Sequence, residues 1–154
     1  MSGKIAAGLL MCRKITGHLE YFLVHPGGPF FKNKDIWTIP KGLPEGDEAL
    51  ISVAQREFFE ETGIKPIGPL HDIGHIRQKG GKVVNAWAFI GAWKPEDGIV
   101  SNSFTMEWPP RSGKQVEFAE VDQASWMTYQ EAVTRIIPEQ VPFLDRAKNI
   151  FGQE

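Results

Sequence analysis

Between Gly42 and Ile64 the chain reads GLPEGDEALISVAQREFFEETGI, and three of its carboxylates, Glu57, Glu60 and Glu61, fall within five residues. Like charges this close on one helix repel unless positive charge lies among them, and Arg56 is the single basic residue of the stretch. The turn-forming residues Lys41 to Asp47 precede it. A helix is predicted from Asp47, whose side chain can accept from the first free amides, to Gly63, suited to a left-handed end. At 3.6 residues per turn the three glutamates share an arc of roughly 100°. Ala54 and Phe58 lie on one side of that arc and Ala49 on the other. A solvated acidic face would sit opposite the apolar stripe and carry interspersed lysines. These acids are therefore expected to line a cleft.

Carboxylates gathered in a cleft must share protons, find cationic partners or hold a metal ion. Oxygen-only ligands suit Mg2+, or Mn2+, rather than zinc. Arg56 has a fork of donors that can fix the orientation of one carboxylate.

The 17 basic and 19 acidic residues leave a net charge of -2, without the basic excess that draws a chain to nucleic acid polymers or anionic membranes. A small anionic ligand remains compatible with it. One domain, residues 1–154, is expected from the length. Cys12 has no partner for an internal disulfide and sits in an apolar run, which points to a reducing, cytoplasmic setting. The first apolar run is too short for a membrane span. The chain is expected to act as a monomer or homodimer.

Ile5 to Cys12 and His18 to Val24 read as strands covered on both faces, so helices should pack on each side of a sheet. Pro26 to Pro29 is a turn, Phe30 to Asp35 a surface excursion, and Ile36 to Ile39 a short strand ended by Pro40. Leu70 to Gln78 and Val83 to Trp93 are strands joined by a hairpin at Lys79 to Lys82. Lys94 to Pro110 reads as a long loop with one short strand. Gln115 to Phe118 and Ser125 to Thr128 are strands, and helices follow at Tyr129 to Ile137 and Glu139 to Phe151.

An Arg-Glu cluster alone is an ordinary solvated face; the wider spacing is more specific. Gly42, five residues, Glu48, seven residues, Arg56-Glu57, an apolar residue, one residue, Glu60-Glu61, one residue, Gly63 and an apolar residue make 23 positions. This pattern matches the Nudix box, and the chain resembles a Nudix hydrolase. The resemblance implies an α/β/α sandwich with a mixed β-sheet and hydrolysis of a pyrophosphate bond in a nucleoside diphosphate-linked compound, with Mg2+ or Mn2+ bound. It makes Glu57, Glu60 and Glu61 metal ligands, with Gly42 at the metal loop. Arg56 orients the glutamates, Glu48 supports them, and Gly63 sets the second loop.

The segment Glu120 to Trp126 resembles the one that supplies a further glutamate in dinucleoside tetraphosphate hydrolases of that family. Glu120 is therefore the first candidate for the base, with Glu107 and Glu117 kept beside it. Trp37 to Gly42 resembles the same branch and places Lys41 to meet a phosphate. Trp87 and Phe89 share a strand face and can stack a base, and Arg77, Lys79 and Lys82 can meet outer phosphates. The expected substrates are dinucleoside polyphosphates or nucleoside triphosphates. A hydrolase cleansing oxidised nucleoside triphosphates is an alternative within the same chemistry, and a non-catalytic nucleotide-sensing protein is one of another class. Decapping of mRNA is disfavoured by the lack of a basic region.

Overall fold

The structure is a computed structural model and describes residues 4–152. Strand β1 (Ile5–Ile15) turns at Thr16 and Gly17, both at positive φ (46° and 83°), into β2 (His18–Pro26). This two-residue turn matches the twist of the paired strands. Strand β1 also pairs in parallel with β5 (Val83–Ile90), which pairs antiparallel with β4 (His71–Arg77). With β8 (Val121–Thr128) beside β2, the mixed sheet runs β4-β5-β1-β2-β8, and the two-residue β3 (Lys41–Gly42) joins it on β1. A separate hairpin is formed by β6 (Ser103–Glu107) and β7 (Gln115–Ala119).

Alternate residues of β1 feed two cores. Ala7, Leu9 and Met11 face helix α1 (Leu50–Thr62), packing with Val53, Ala54 and Phe58. Ala6, Leu10 and Cys12 face α2 (Tyr129–Arg135) and α3 (Val141–Phe151), packing with Ala132, Phe143 and Leu144. Covering both faces makes the strands near-continuously apolar, and the α/β/α arrangement inferred from them is the one observed. Cys12 is fully buried, and burial pushes its thiol pKa up. Among the described residues no helix is long and apolar enough to cross a membrane.

Strand β1 runs on to Ile15 rather than Cys12 and β5 ends at Ile90 rather than Trp93, and four further boundaries shift for physical reasons. The helix predicted from Asp47 begins at Leu50, with Ala49 as its uncapped N-terminal residue. The preceding residues form a turn of their own, in which the Glu48 carboxylate accepts from the Glu45 amide at 2.9 Å. The expected strand Ile36 to Ile39 is replaced by two isolated bridges, Val24 with Thr38 and Trp37 with Ile136. Its amides are taken elsewhere: Trp37 N–H donates to Arg135 C=O, and Ile39 N–H to the Gln140 side chain. Strand β8 starts at Val121 rather than Ser125, because a bulge opposite His25 and Pro26 breaks the alternation that would have revealed it. Between α2 and α3, Pro138–Gln140 is a single 3-10 turn, so α2 ends and α3 starts two residues inside the expected limits. The Lys79 to Lys82 hairpin, the left-handed end at Gly63 and the short strand within Lys94 to Pro110 occur as read.

Gly8 sets the height of the site above the sheet. A Cβ there would strike the Pro40 carbonyl and meet Lys41 Cβ at 2.7 Å, so only glycine lets the Ile39–Lys41 segment cross β1 this closely. Gln140 holds the segment from the opposite core. It is fully buried, accepts from Ile39 N–H at 3.1 Å and donates to Thr38 Oγ1 and Gln78 Oε1, each at 2.9 Å. Gln140→Leu leaves the Ile39 amide buried without an acceptor, and urea denaturation is expected to show a loss of about 1–3 kcal/mol.

Candidate active site

At the end of the sheet a cleft of about 480 Å³ opens between three pieces of chain. The loop from Lys41 to Glu45 forms one wall. Helix α1 presents Glu57, Glu60 and Glu61, and Asn102, Ser103 and Glu120 close the far side. Gly42 is at the point of closest approach: a Cβ there would occupy the place of the Glu57 carboxylate. Gly63, at φ 78°, donates its N–H to Phe59 C=O at 2.7 Å and ends the helix just past the last glutamate.

Arg56 organises the near wall. Its Nε and Nη2 donate to the two oxygens of Glu48, both at 2.8 Å, a bidentate pair. Nη2 also donates to Leu43 C=O at 3.0 Å, tying the loop to the helix. Nη1 donates to Glu57 at 3.0 Å and Glu60 at 3.1 Å. The guanidinium lowers the Glu48 pKa to about 2, helped by the Glu45 amide.

The far side is tied to the helix through backbone. The last turn of α1 has carbonyls without partners in the helix, and Asn102 N–H donates to Glu60 C=O and Val100 N–H to Thr62 C=O, at 2.8 and 2.9 Å. Asn102 C=O in turn accepts from Glu120 N–H at 2.8 Å, and Ser101 Oγ accepts from Val121 N–H at 3.0 Å. Two backbone hydrogen bonds thus connect the residue bearing Glu60 to the residue bearing Glu120.

Charge in the cleft is unbalanced. Five lining residues are glutamates and one is a lysine. Burial, then the charge of Glu57, then that of Glu120 raise the Glu61 pKa well above the carboxylate range, against the pull of Lys41. Glu57 is also raised by burial, with Arg56 opposing and Glu60 reinforcing. Desolvation raises Glu120. Lys41 is lowered by burial and by Lys82, with Glu61 and Glu57 opposing. An oxygen-rich, electron-rich cleft of this composition suits a hard divalent cation. Arg56 pairs with both Glu57 and Glu60, and among the described residues no three His, Cys, Asp or Glu side chains converge as a metal site.

Of the residues singled out from sequence, Lys41, Gly42, Glu57, Glu60, Glu61 and Glu120 line this cleft, with Arg56 and Glu48 behind them. Trp37, Phe89 and Trp87, the other expected substrate contacts, lie outside this cleft. Trp37 is buried under α2 and α3, its indole N–H given to Asp35 at 2.7 Å. Phe89 is 1% exposed and packs edge-on against Phe58. Trp87 is half-buried in the core on the α1 side and is not in the cleft lining. Phe89 is covered and offers no open face to a base, whereas Trp87 keeps part of its surface exposed. Glu107 accepts from Gly113 N–H and Glu117 is exposed on β7, both outside the cleft. Asn102 and Ser103 were not anticipated; they lie in a stretch without period, where only contact with α1 reveals them.

Residues 4–147 match the NUDIX domain. The chain belongs to the NUDIX domain family. It is 33% identical over 131 residues to Nudix hydrolase 7 of Arabidopsis thaliana, covering 84% of this chain and 40% of that relative's length. The fold of this Nudix domain is similar to that of a C. elegans Ap4A hydrolase binary complex, with a TM-score of 0.67, 22% identity and coverage of 96% and 97% of the two chains. It is also similar to the NUDIX domain of Shewanella oneidensis NrtR complexed with ADP ribose, with a TM-score of 0.67, 14% identity and coverage of 97% and 89%.

The depressed Glu48 pKa has a defined consequence for stability. Its contribution is fully present above the ordinary value of 4.5 and is lost as pH falls through about 2. In 13C NMR titrations the Glu48 carboxyl is expected to titrate near pH 2, and in Arg56→Gln to return towards 4.5. Stability of that variant should then lose the part of its pH dependence that falls in this window.

Proposed function

We propose that this Nudix domain is a divalent-cation-dependent hydrolase of a pyrophosphate bond in a nucleoside diphosphate-linked compound, with dinucleoside polyphosphates or nucleoside triphosphates as substrates. The observation that carries the reading is the cleft in which Glu57, Glu60 and Glu61 face Glu120, with Lys41 as the one lining cation. The likeness to an Ap4A hydrolase and to a domain complexed with ADP ribose agrees in fold with such substrates.

Mg2+ or Mn2+ held by Glu57, Glu60 and Glu61 would supply positive charge to the anhydride oxygens and acidify water. The chain's own groups divide the remaining work. Glu120, on the opposite wall, takes the proton of the attacking water, and its raised pKa makes it a better acceptor than an ordinary surface carboxylate. Lys41 donates to a non-bridging phosphate oxygen. Its position is fixed because β3 pairs Lys41 with Gly8. Arg56 draws Glu57 and Glu60 to its one Nη1 and fixes the helix against the Leu43 loop. Glu48 occupies the other two arms of the guanidinium, which keeps it from closing further on the cleft. The ligand is a small nucleotide rather than a nucleic acid polymer, in keeping with the net charge of -2.

Glu60→Gln and Glu61→Gln each remove a charge without changing size, so both should lower kcat by roughly two or more orders of magnitude while circular dichroism stays that of the wild type. Near-full Mg2+-dependent turnover in both variants would sink the reading. Glu120→Gln should lower kcat far more than it raises KM. If Glu107→Gln carries that loss instead, the base lies on the β6–β7 hairpin. Products resolved from diadenosine tetraphosphate, adenosine triphosphate and ADP-ribose decide the substrate.

A further inference from the structure

A second pocket, of about 540 Å³, lies directly behind the Glu120 turn. Ala119 is in its wall, whereas the next residue, Glu120, is in the wall of the acidic cleft. Adjacent residues are about 3.8 Å apart, so one turn of backbone separates the two spaces. The pocket is formed where the β6–β7 hairpin meets the loop leaving β2. Two glycines permit this meeting: a Cβ on Gly27 would strike Ala119 C=O, and one on Gly28, at φ 95°, would meet the Phe104 ring at 2.9 Å.

Its lining differs in kind from the acidic cleft. Trp108 and Phe118 supply aromatic surface, with Phe30 standing edge-on to Trp108 at 5.5 Å. Trp108 is half-buried, and among the described residues its indole N–H has no protein acceptor, whereas Trp37, Trp93 and Trp126 each donate to one. Lys32 makes no ion pair among the described residues. Asp122 is held through one oxygen by His25 Nδ1 at 2.8 Å, and His25 is itself fixed by Lys34 C=O at 2.7 Å. Its other oxygen has no partner among the described residues and is free to accept.

We propose that this pocket is the nucleobase subsite. It rests on the reading of the acidic cleft as the site of a nucleotide's phosphates. Aromatic surface favours a planar π system. The free Asp122 oxygen accepts from a base amino group or a ribose hydroxyl, the free indole N–H donates to a ring nitrogen or carbonyl, and the exposed Lys32 lends positive charge to the lining. A volume of 540 Å³ lies within the usual range for a small-ligand pocket. The base thus binds across the Glu120 turn from the reacting phosphorus, and no group on the Trp87 strand is needed.

Binding rather than turnover tests it. Adenosine monophosphate has no pyrophosphate bond, ribose 5-phosphate has no base, and inorganic tripolyphosphate has neither base nor sugar. Isothermal titration with Mg2+ present is expected to show adenosine monophosphate weakened at least tenfold in Trp108→Leu, with ribose 5-phosphate and tripolyphosphate bound as by the wild type. Nuclear Overhauser contacts between the adenine protons and the Trp108 ring are expected in the unaltered protein, which needs no folded variant. Equal adenosine monophosphate binding in Trp108→Leu, parallel loss of all three ligands, or adenine contacts only to other residues would overturn the subsite. If no nucleotide is hydrolysed but adenine still contacts Trp108, the hydrolase reading fails and the subsite stands.

Discussion

One guanidinium keeps the acidic wall of the cleft assembled. Arg56 reaches Glu48, Glu57, Glu60 and the Leu43 carbonyl at once, all within 3.1 Å. Without it, α1 would carry several glutamates on adjoining positions with nothing to offset their repulsion. The same contacts link the loop before the helix to the helix itself, so the height of Gly42 over Glu57 and the spacing of the glutamates are set together. A lysine would not do this: its single ammonium has no planar fork to hold one carboxylate bidentately while reaching two others.

The opposite wall is positioned by backbone rather than charge. The 100–102 segment takes up the orphan carbonyls of α1's last turn and passes the connection on to Glu120. An acid placed this way has its backbone fixed relative to the helix by hydrogen bonds, so only its own side-chain rotamer sets where the carboxylate lies. The β8 bulge at Asp122 completes the arrangement. It puts Val121, together with Ala124 and Trp126, on the α1 side of the sheet and turns Asp122 to His25 instead.

What the sequence revealed follows from where the constraint lies. Gly42, Glu48, Arg56, Glu57, Glu60, Glu61 and Gly63 are constrained locally, by one helix and its two ends, and spacing along the chain carries that information. The helix start was misread because Asp47 is a good cap in isolation, whereas the competing Glu48 interactions arise from Arg56, eight residues on. The spacing of Trp87 and Phe89 shows that they share a face of β5 but not that α1 packs on that face, and Trp37 lies in a segment held by bridges to Val24 and Ile136 that no strand pattern describes. Asn102, Ser103 and Trp108 sit in a proline-containing segment with no period, and their neighbours are distant in sequence. Nothing local distinguishes them until the hairpin is docked on the β2 exit loop.

Five glutamates and one lysine around the proposed phosphate end divide recognition between two spaces. A polyphosphate alone meets net repulsion there, so its affinity must be coupled to that of the cation, and by linkage each strengthens the other equally. On the proposed reading, the aromatic pocket behind the Glu120 turn contributes through stacking, which salt screens little, and through hydrogen bonds to Asp122 and the Trp108 indole. On that reading, cation concentration would govern occupancy of the phosphate end, whereas the base end would set which ligand is held. The two are joined at Ala119-Glu120, so the residue proposed as base is also the partition between them. A shift of that turn would move the base acceptor and the depth of the base pocket together, which ties substrate choice to the geometry of attack through a single piece of backbone.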